Sequence, residues 1–155
     1  MRLWQTPITD RTRDDVNLVK NLSLKRWEDL TDEQKQMWLN GLKGALNKSD
    51  LERIENNIHI LADVFQVNMQ TFEDNIPTIP TPSYWQNLID NVIYIRKRGY
   101  AYWNTPETPL MPLNQYQKIN DIEMILRDTY TILLTNLYYE SIDDWHTGEE
   151  VGLVL

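Results

Sequence analysis

The chain has no cysteine, which excludes a disulfide scaffold, a thiolate nucleophile and any zinc site built on sulfur. With only 2 histidines there is little from which to assemble a His-based triad. Glycine is scarce, 5 residues in 155, and leaves little room for flexible linkers. Basic residues are in deficit: 15 Lys and Arg against 23 Asp and Glu give a formal net charge of −8. Nucleic-acid affinity rests largely on Lys and Arg displacing counterions from phosphates, so a nucleic-acid partner is not expected. No run of 18 apolar residues occurs, and the N-terminal "MRLWQTPITDRTRDD" has no apolar signal core. Membrane insertion is therefore not expected either.

What is present reads as one globular domain. The apolar fraction of 41% and the charged fraction of 25% are ordinary for a folded protein. A chain of this length buries about two-thirds of the surface it exposes when unfolded. Apolar residues recur at helical spacing and almost nowhere alternate, which predicts an all-α fold: a single compact bundle of four to five helices with Pro-rich extended connections, spanning residues 1–155. Residues 1–10 and 146–155 are candidate interaction arms.

The first helix is expected after Thr9 or Thr12, with Asp14 and Asp15 complementing its dipole and Val16, Val19 and Leu22 or Ser23 along one face. A short second helix follows Thr31, which has Gln34 three residues on as its capping-box partner and Gly41 as its stop. "SDLERIENNIHILADVFQ" predicts a third, from about Asp50 to Phe65, capped by Ser49 and Glu52, with a stripe of Leu51, Ile54, Ile58, Leu61 and Phe65. After the extended "IPTIPTP", Thr81 caps a fourth helix with Pro82 at its first position and Trp85, Leu88, Ile89, Val92 and Ile95 inward. After "NTPETPLMPLN", Asn114 is expected to cap a fifth with Tyr116, Ile119, Ile122, Ile125 or Leu126, Tyr130 and Leu133 inward. Asn57, Asn91 and Asn120 lie close to these apolar seams. Asparagine is a poor helix former, so the three predict hydrogen bonds to loop backbone, with the Pro-rich segments as natural partners. The faint repeat that surrounds them is read as chance similarity between amphipathic helices rather than duplication.

Few motifs offer chemistry. "NGLKGALNKS" looks like a phosphate-binding loop, but G-x-x-x-x-G-K-[ST] would need glycines where Leu42 and Asn47 stand, and no strand precedes it. It reads as a turn between helices. The cluster Asp143, Asp144, His146, Glu149 and Glu150 lacks the order of a calcium loop and reads as a solvated acidic stretch. His59 reads as a hydrogen-bonded boundary residue. The carboxylate pairs Glu52 with Asp63 and Glu123 with Asp128 are expected at cap or surface positions, not as a glycosidase dyad. No catalytic, cofactor or metal residue is assigned. Of the 6 tryptophans, Trp4, Trp103 and Trp145 fall in loop or terminal segments and are candidates for partner contact.

Several segments carry a resemblance. "PITDRTRDDV", "WEDLTDEQKQMWLNGLKGALNKSDLERIENNI", "YWQNLIDNVIYIR", "TPETPLMPLNQYQKINDIEMIL" and the ending "GEEVGLVL" resemble a module of minor structural, tail-associated proteins of phages and prophages of Gram-positive bacteria. The most specific parts are P-x-T-D-R-T, W-L-x-G-L-K-G-A-L-N-x-x-D-L-x-R-I-E-x-N and P-L-N-x-Y-x-K-x-N-D-I-E. The resemblance implies a non-enzymatic virion protein of the tail tip, baseplate or fibre attachment, assembled in the host cytoplasm. Its partners would be other tail proteins and copies of itself, and a host cell-surface polymer is a further candidate. No cofactor is implied. The alternative from another class is a cell-wall-directed protein, either a sugar-binding module or a peptidoglycan hydrolase. The apolar ending Val151, Gly152, Leu153, Val154 and Leu155 follows Gly148, where a sharp bend is expected. Exposed, it would be an aggregation liability, so it either folds back on the domain or pairs with another chain; the second is favoured, with Val151, Leu153, Val154 and Leu155 as candidate contacts between subunits.

Overall fold

The computed structural model describes residues 2–66, 69–70, 76, 79–99 and 101–152, with the backbone alone for 138–152. The fold is all-α: α1 (Arg13–Ser23), a single 3-10 turn (Trp27–Asp29), α2 (Asp32–Leu39), α3 (Lys48–Phe65), α4 (Pro82–Arg98) and α5 (Tyr116–Gly152), with no strand among the described residues.

Local chemistry sets most helix starts. Thr12 accepts from the Asp15 N–H while the Asp15 carboxylate accepts from the Thr12 N–H at 2.7 Å, a reciprocal cap that opens α1. Thr31 and Gln34 do the same for α2. Thr81 accepts from the Tyr84 N–H at the start of α4, with Pro82 in the first turn. Two expected caps shift. α3 is capped by Asn47 and not Ser49: the Asp50 carboxylate accepts from the Asn47 N–H at 2.8 Å, and the Asn47 amide ties back to the Leu42 and Ala45 carbonyls. α5 opens at Tyr116, one residue later than a cap at Asn114 would place it, with the Lys118 N–H on the Gln115 carbonyl.

Residues 40–47 form a turn between α2 and α3, with Lys48 and Ser49 already in α3. Gly41, at φ +83°, supplies the left-handed residue that ends α2, a conformation costly for any side chain with a Cβ.

Packing divides into a main core and a satellite. α3, α4 and α5 surround Leu51, Ile54, Ile58, Leu61, Leu88, Ile89, Val92, Ile95, Ile119, Ile122, Ile125 and Leu126, so both Ile125 and Leu126 are buried. Tyr84, outside the expected stripe, is fully buried here, while Trp85 packs at the edge. Leu22, Leu30 and Leu42 form the second cluster, joining α1 to the turns around α2. The connection before α5 is extended and tied by polar bonds: Thr105 donates to Asp128 at 2.7 Å, and the Lys118 ammonium donates to the Leu110 and Pro112 carbonyls. At 1.5 Å per residue, the 37 residues of α5 span about 55 Å, twice the length of α3 with its 18 residues. Among the described side chains of α5, core contacts reach Leu133, and Leu134 and Leu137 are half exposed. Gly148, expected at a bend, lies inside this helix.

Candidate functional site

Among the described residues, a buried network of charged side chains lies beneath the N-terminal segment. Arg11 is only 4% exposed, as is Asp50, and Glu123 is 1% exposed. The Arg11 guanidinium donates from Nη1 to the Ile8 carbonyl at 2.6 Å and to Glu123 Oε1 at 2.9 Å, and from Nη2 to Asp50 Oδ1 at 3.0 Å. Arg53, one turn along α3 from Asp50, reaches the same two oxygens at 2.7 Å each and places Nε 3.0 Å from Glu123 Oε2. The remaining acceptor positions are filled by backbone: the Ile8 N–H donates to Glu123 Oε2 at 2.7 Å and the Asn47 N–H to Asp50 Oδ2 at 2.8 Å. Two guanidinium and two carboxylate groups thus balance. Burial works against the charge of Arg53, but the adjoining Glu123 and Asp50 carboxylates more than offset it and hold its pKa above the usual arginine value.

The same segment is gripped along its length by helix side chains. Asn57 receives the Gln5 N–H at 3.0 Å and donates to the Gln5 carbonyl at 2.7 Å. Asn120 pairs in the same way with the N–H and carbonyl of Arg11, at 3.3 and 2.9 Å. In the α3–α4 connection, Asn91 repeats the arrangement on Gln70, at 2.8 and 3.1 Å. A planar amide carries one donor and one acceptor side by side, so it satisfies both polar groups of a single extended residue, as a neighbouring strand would. The expectation that these asparagines bond loop backbone holds. Their partners, however, are Gln5, Gln70 and Arg11, not the proline runs.

Glu123 and Asp128 are corrections to their expected cap or surface positions, since both are buried on α5. Asp128 accepts from Thr105 and from Arg127. Each oxygen of Glu123 already accepts from an arginine, so the pair has the chemistry of structural anchors. Glu55 is different: burial raises its pKa above the usual carboxylate range, the hydrogen bond from the Tyr84 hydroxyl opposes this, and the Glu52 charge adds to it. A raised folded-state pKa favours the protonated form, so that contribution to stability is fully present below pH 4.5 and lost as pH rises through the folded value. Glu55→Gln keeps an acceptor for Tyr84 and removes the charge. It should raise the melting temperature at pH 7, with the advantage disappearing below about pH 4.5; an unchanged difference across that range would contradict the assignment. Burial likewise lowers the pKa of His59, with Arg2 adding to the effect and Asp63 opposing it.

The candidate contact residues are dispersed. Trp4 is half buried and stacks on Tyr130, ring centroids 3.9 Å apart and planes 6° from parallel, so it helps hold residues 2–12 against the molecule's own α3 and α5. Trp103 stands 97% exposed in the α4–α5 connection. The side chains of Trp145 and Val151 lie outside the described residues although their backbone belongs to α5, and Leu153, Val154 and Leu155 lie outside them entirely. The side chains of Asp143, Asp144, His146, Glu149 and Glu150 are also outside. Among the described residues no group of three or more His, Asp or Glu is placed to hold a metal ion, and no helix is long and apolar enough to cross a membrane.

Sequence reasoning missed the charge network itself, although its residues come from the three most specific parts of the resemblance. Arg11 lies in "PITDRT", Asp50, Arg53 and Asn57 in "DLERIENN", and Asn120 and Glu123 in "NDIE". The signal was available: Asp50, Asn57 and Glu123 fall on or beside the apolar stripes of their helices, where a polar residue requires a partner. Comparison with known proteins gives no matching family model, no similar curated protein and no similar solved structure.

Proposed function

We propose that this chain is a non-enzymatic structural protein of a phage tail or related particle, acting through contacts with other tail proteins and with copies of itself. The observation that carries this reading is the use made of the polar residues in the three most specific parts of the resemblance. Arg11, Asp50, Arg53, Asn57, Asn120 and Glu123 bind one another or backbone. Motif residues with that role specify a rigid body rather than a reaction. Exposed apolar side chains support association: Leu24, Leu39, Trp103 and Leu110 are each more than two-thirds exposed, and Leu134 and Leu137 on α5 are 48% and 52% exposed.

The test is to locate the chain in intact particles made by the host that encodes it. Labelling of the tail by an antibody raised against the purified chain is the expected result. Particles free of the chain, together with turnover of peptidoglycan by the purified protein, would favour the cell-wall reading instead. Self-association gives a second readout: Leu134→Glu with Leu137→Glu should weaken any oligomer seen by sedimentation while leaving the helical signal intact.

A further inference from the structure

Where α1 passes the start of α5, the surface opens into a cleft with two adjoining compartments. The outer one, of about 510 Å³, is lined by Arg13, Asn17 and Lys20 from α1 and by Gln115, Tyr116 and Gln117 from the start of α5. The inner one, of about 230 Å³, shares Val16 and Tyr116 with it and is closed by Gly44, Leu113 and Ile119. Neither compartment has a carboxylate in its lining, in a chain whose acids outnumber its bases by 23 to 15. Arg13 and Lys20 have no ion-pair partner among the described residues. They stand seven apart on α1, so both occupy the face that also carries Val16 and Asn17. The first turn of α5 adds backbone N–H groups and the positive end of a helix dipole.

An independent observation lies deeper. Arg11 forms part of the inner wall, and its Nε is buried with no hydrogen-bond partner among the described residues. Its Nη groups donate to Asp50, Glu123 and Ile8, while Nε has no such acceptor.

We propose that this cleft binds a small hydroxylated anion, a sugar or polyol bearing a phosphate or carboxylate. Arg13, Lys20 and the α5 N-terminus receive the anionic group. The amides of Asn17, Gln115 and Gln117 match hydroxyls, which both donate and accept, and Tyr116 with Val16 offers an apolar wall to the carbon skeleton. The inference does not depend on the assembly role, because a tail protein and a cell-wall protein could equally carry it.

The experiment titrates the isotope-labelled full chain with glucose 6-phosphate, glucuronate, glucose and inorganic phosphate, following backbone amide shifts. Saturable shifts confined to Arg13–Lys20, residues 44–46 and residues 114–117 are expected with at least one of the two charged sugars, and the tighter of them identifies the source of the charge as phosphate or carboxylate. Glucose should bind at least about tenfold more weakly, and Arg13→Gln with Lys20→Gln should cost about tenfold in affinity for the charged sugar. Both substituted residues are exposed, so the helical signal should not change. Asn17→Glu, which sets a carboxylate in the cleft, should abolish the shifts. No saturable binding of either charged sugar at millimolar concentration overturns the proposal, as does binding that the double variant leaves unchanged. Inorganic phosphate binding as tightly as glucose 6-phosphate overturns the assignment of a hydroxylated ligand.

Discussion

Arg11→Leu is expected to lower the unfolding free energy by about 3–5 kcal/mol, because it leaves two buried carboxylates facing a single guanidinium. Asp50 and Glu123 would then share Arg53 alone, and the Ile8 carbonyl would lose its donor. Arg11→Lys should recover only a fraction of the loss. An ammonium is a point donor, whereas the Arg11 fork reaches Ile8, Glu123 and Asp50 together. Urea unfolding provides the check: the midpoint should fall sharply with little change in slope, and a loss below about 1 kcal/mol would mean that the network adds little to the fold.

Gly44→Ala is the second large effect. A Cβ at this position would lie 2.1 Å from the carbonyl oxygen of Asp15, 2.2 Å from its carbon and 2.6 Å from the Val16 nitrogen. All three obstacles are backbone in the first turn of α1, so no side-chain rotation relieves them, and α1 must move away from the turn. The expected loss is about 3 kcal/mol, at the upper end of the range for overpacking, with the Leu22–Leu30–Leu42 cluster loosened as α1 shifts. Gly41→Ala makes the informative comparison. It meets nothing closer than 3.4 Å and suffers only from its φ of +83°, a cost of about 1–2 kcal/mol. Thermal unfolding of the two variants should rank Gly44→Ala as the more damaging; the reverse order would contradict the close approach of the turn to α1.

The helices were legible because their signals are local. The reciprocal cap at Thr31, proline after Thr81 and the 3.6-residue stripes of α3 and α5 all act within a few residues, and each stands where the sequence places it, while Thr12 is one of the two starts the sequence allows for α1. The cap of α3 was misplaced because Asn47 and Ser49 both precede acids at capping-box spacing. The choice fell to Asn47, whose amide also reaches the Leu42 and Ala45 carbonyls. The asparagines were legible as polar residues on apolar seams, yet their partners are 21 to 109 positions away in the chain and no periodicity encodes them. Glu123 could have been found by the same rule, since it follows Ile119 by four and precedes Leu126 by three, within the stripe. Gly44 carried no such sign. A glycine in a turn reads as freedom, and here it marks the contact of one backbone with another.

The central claim is that the three most specific parts of the resemblance encode one internal lock, which holds residues 2–12 to α3 and α5. Hydrogen exchange at the backbone N–H groups of Gln5, Ile8 and Arg11 tests it most directly, because each donates to a helix side chain, Asn57, Glu123 and Asn120 respectively. In the native protein all three should be protected well beyond the rates of an unfolded chain, and Arg11→Leu should reduce the protection of all three together while the α4 core amides retain a larger share of theirs. Exchange of these three groups at unfolded-chain rates in the unsubstituted protein would contradict the lock.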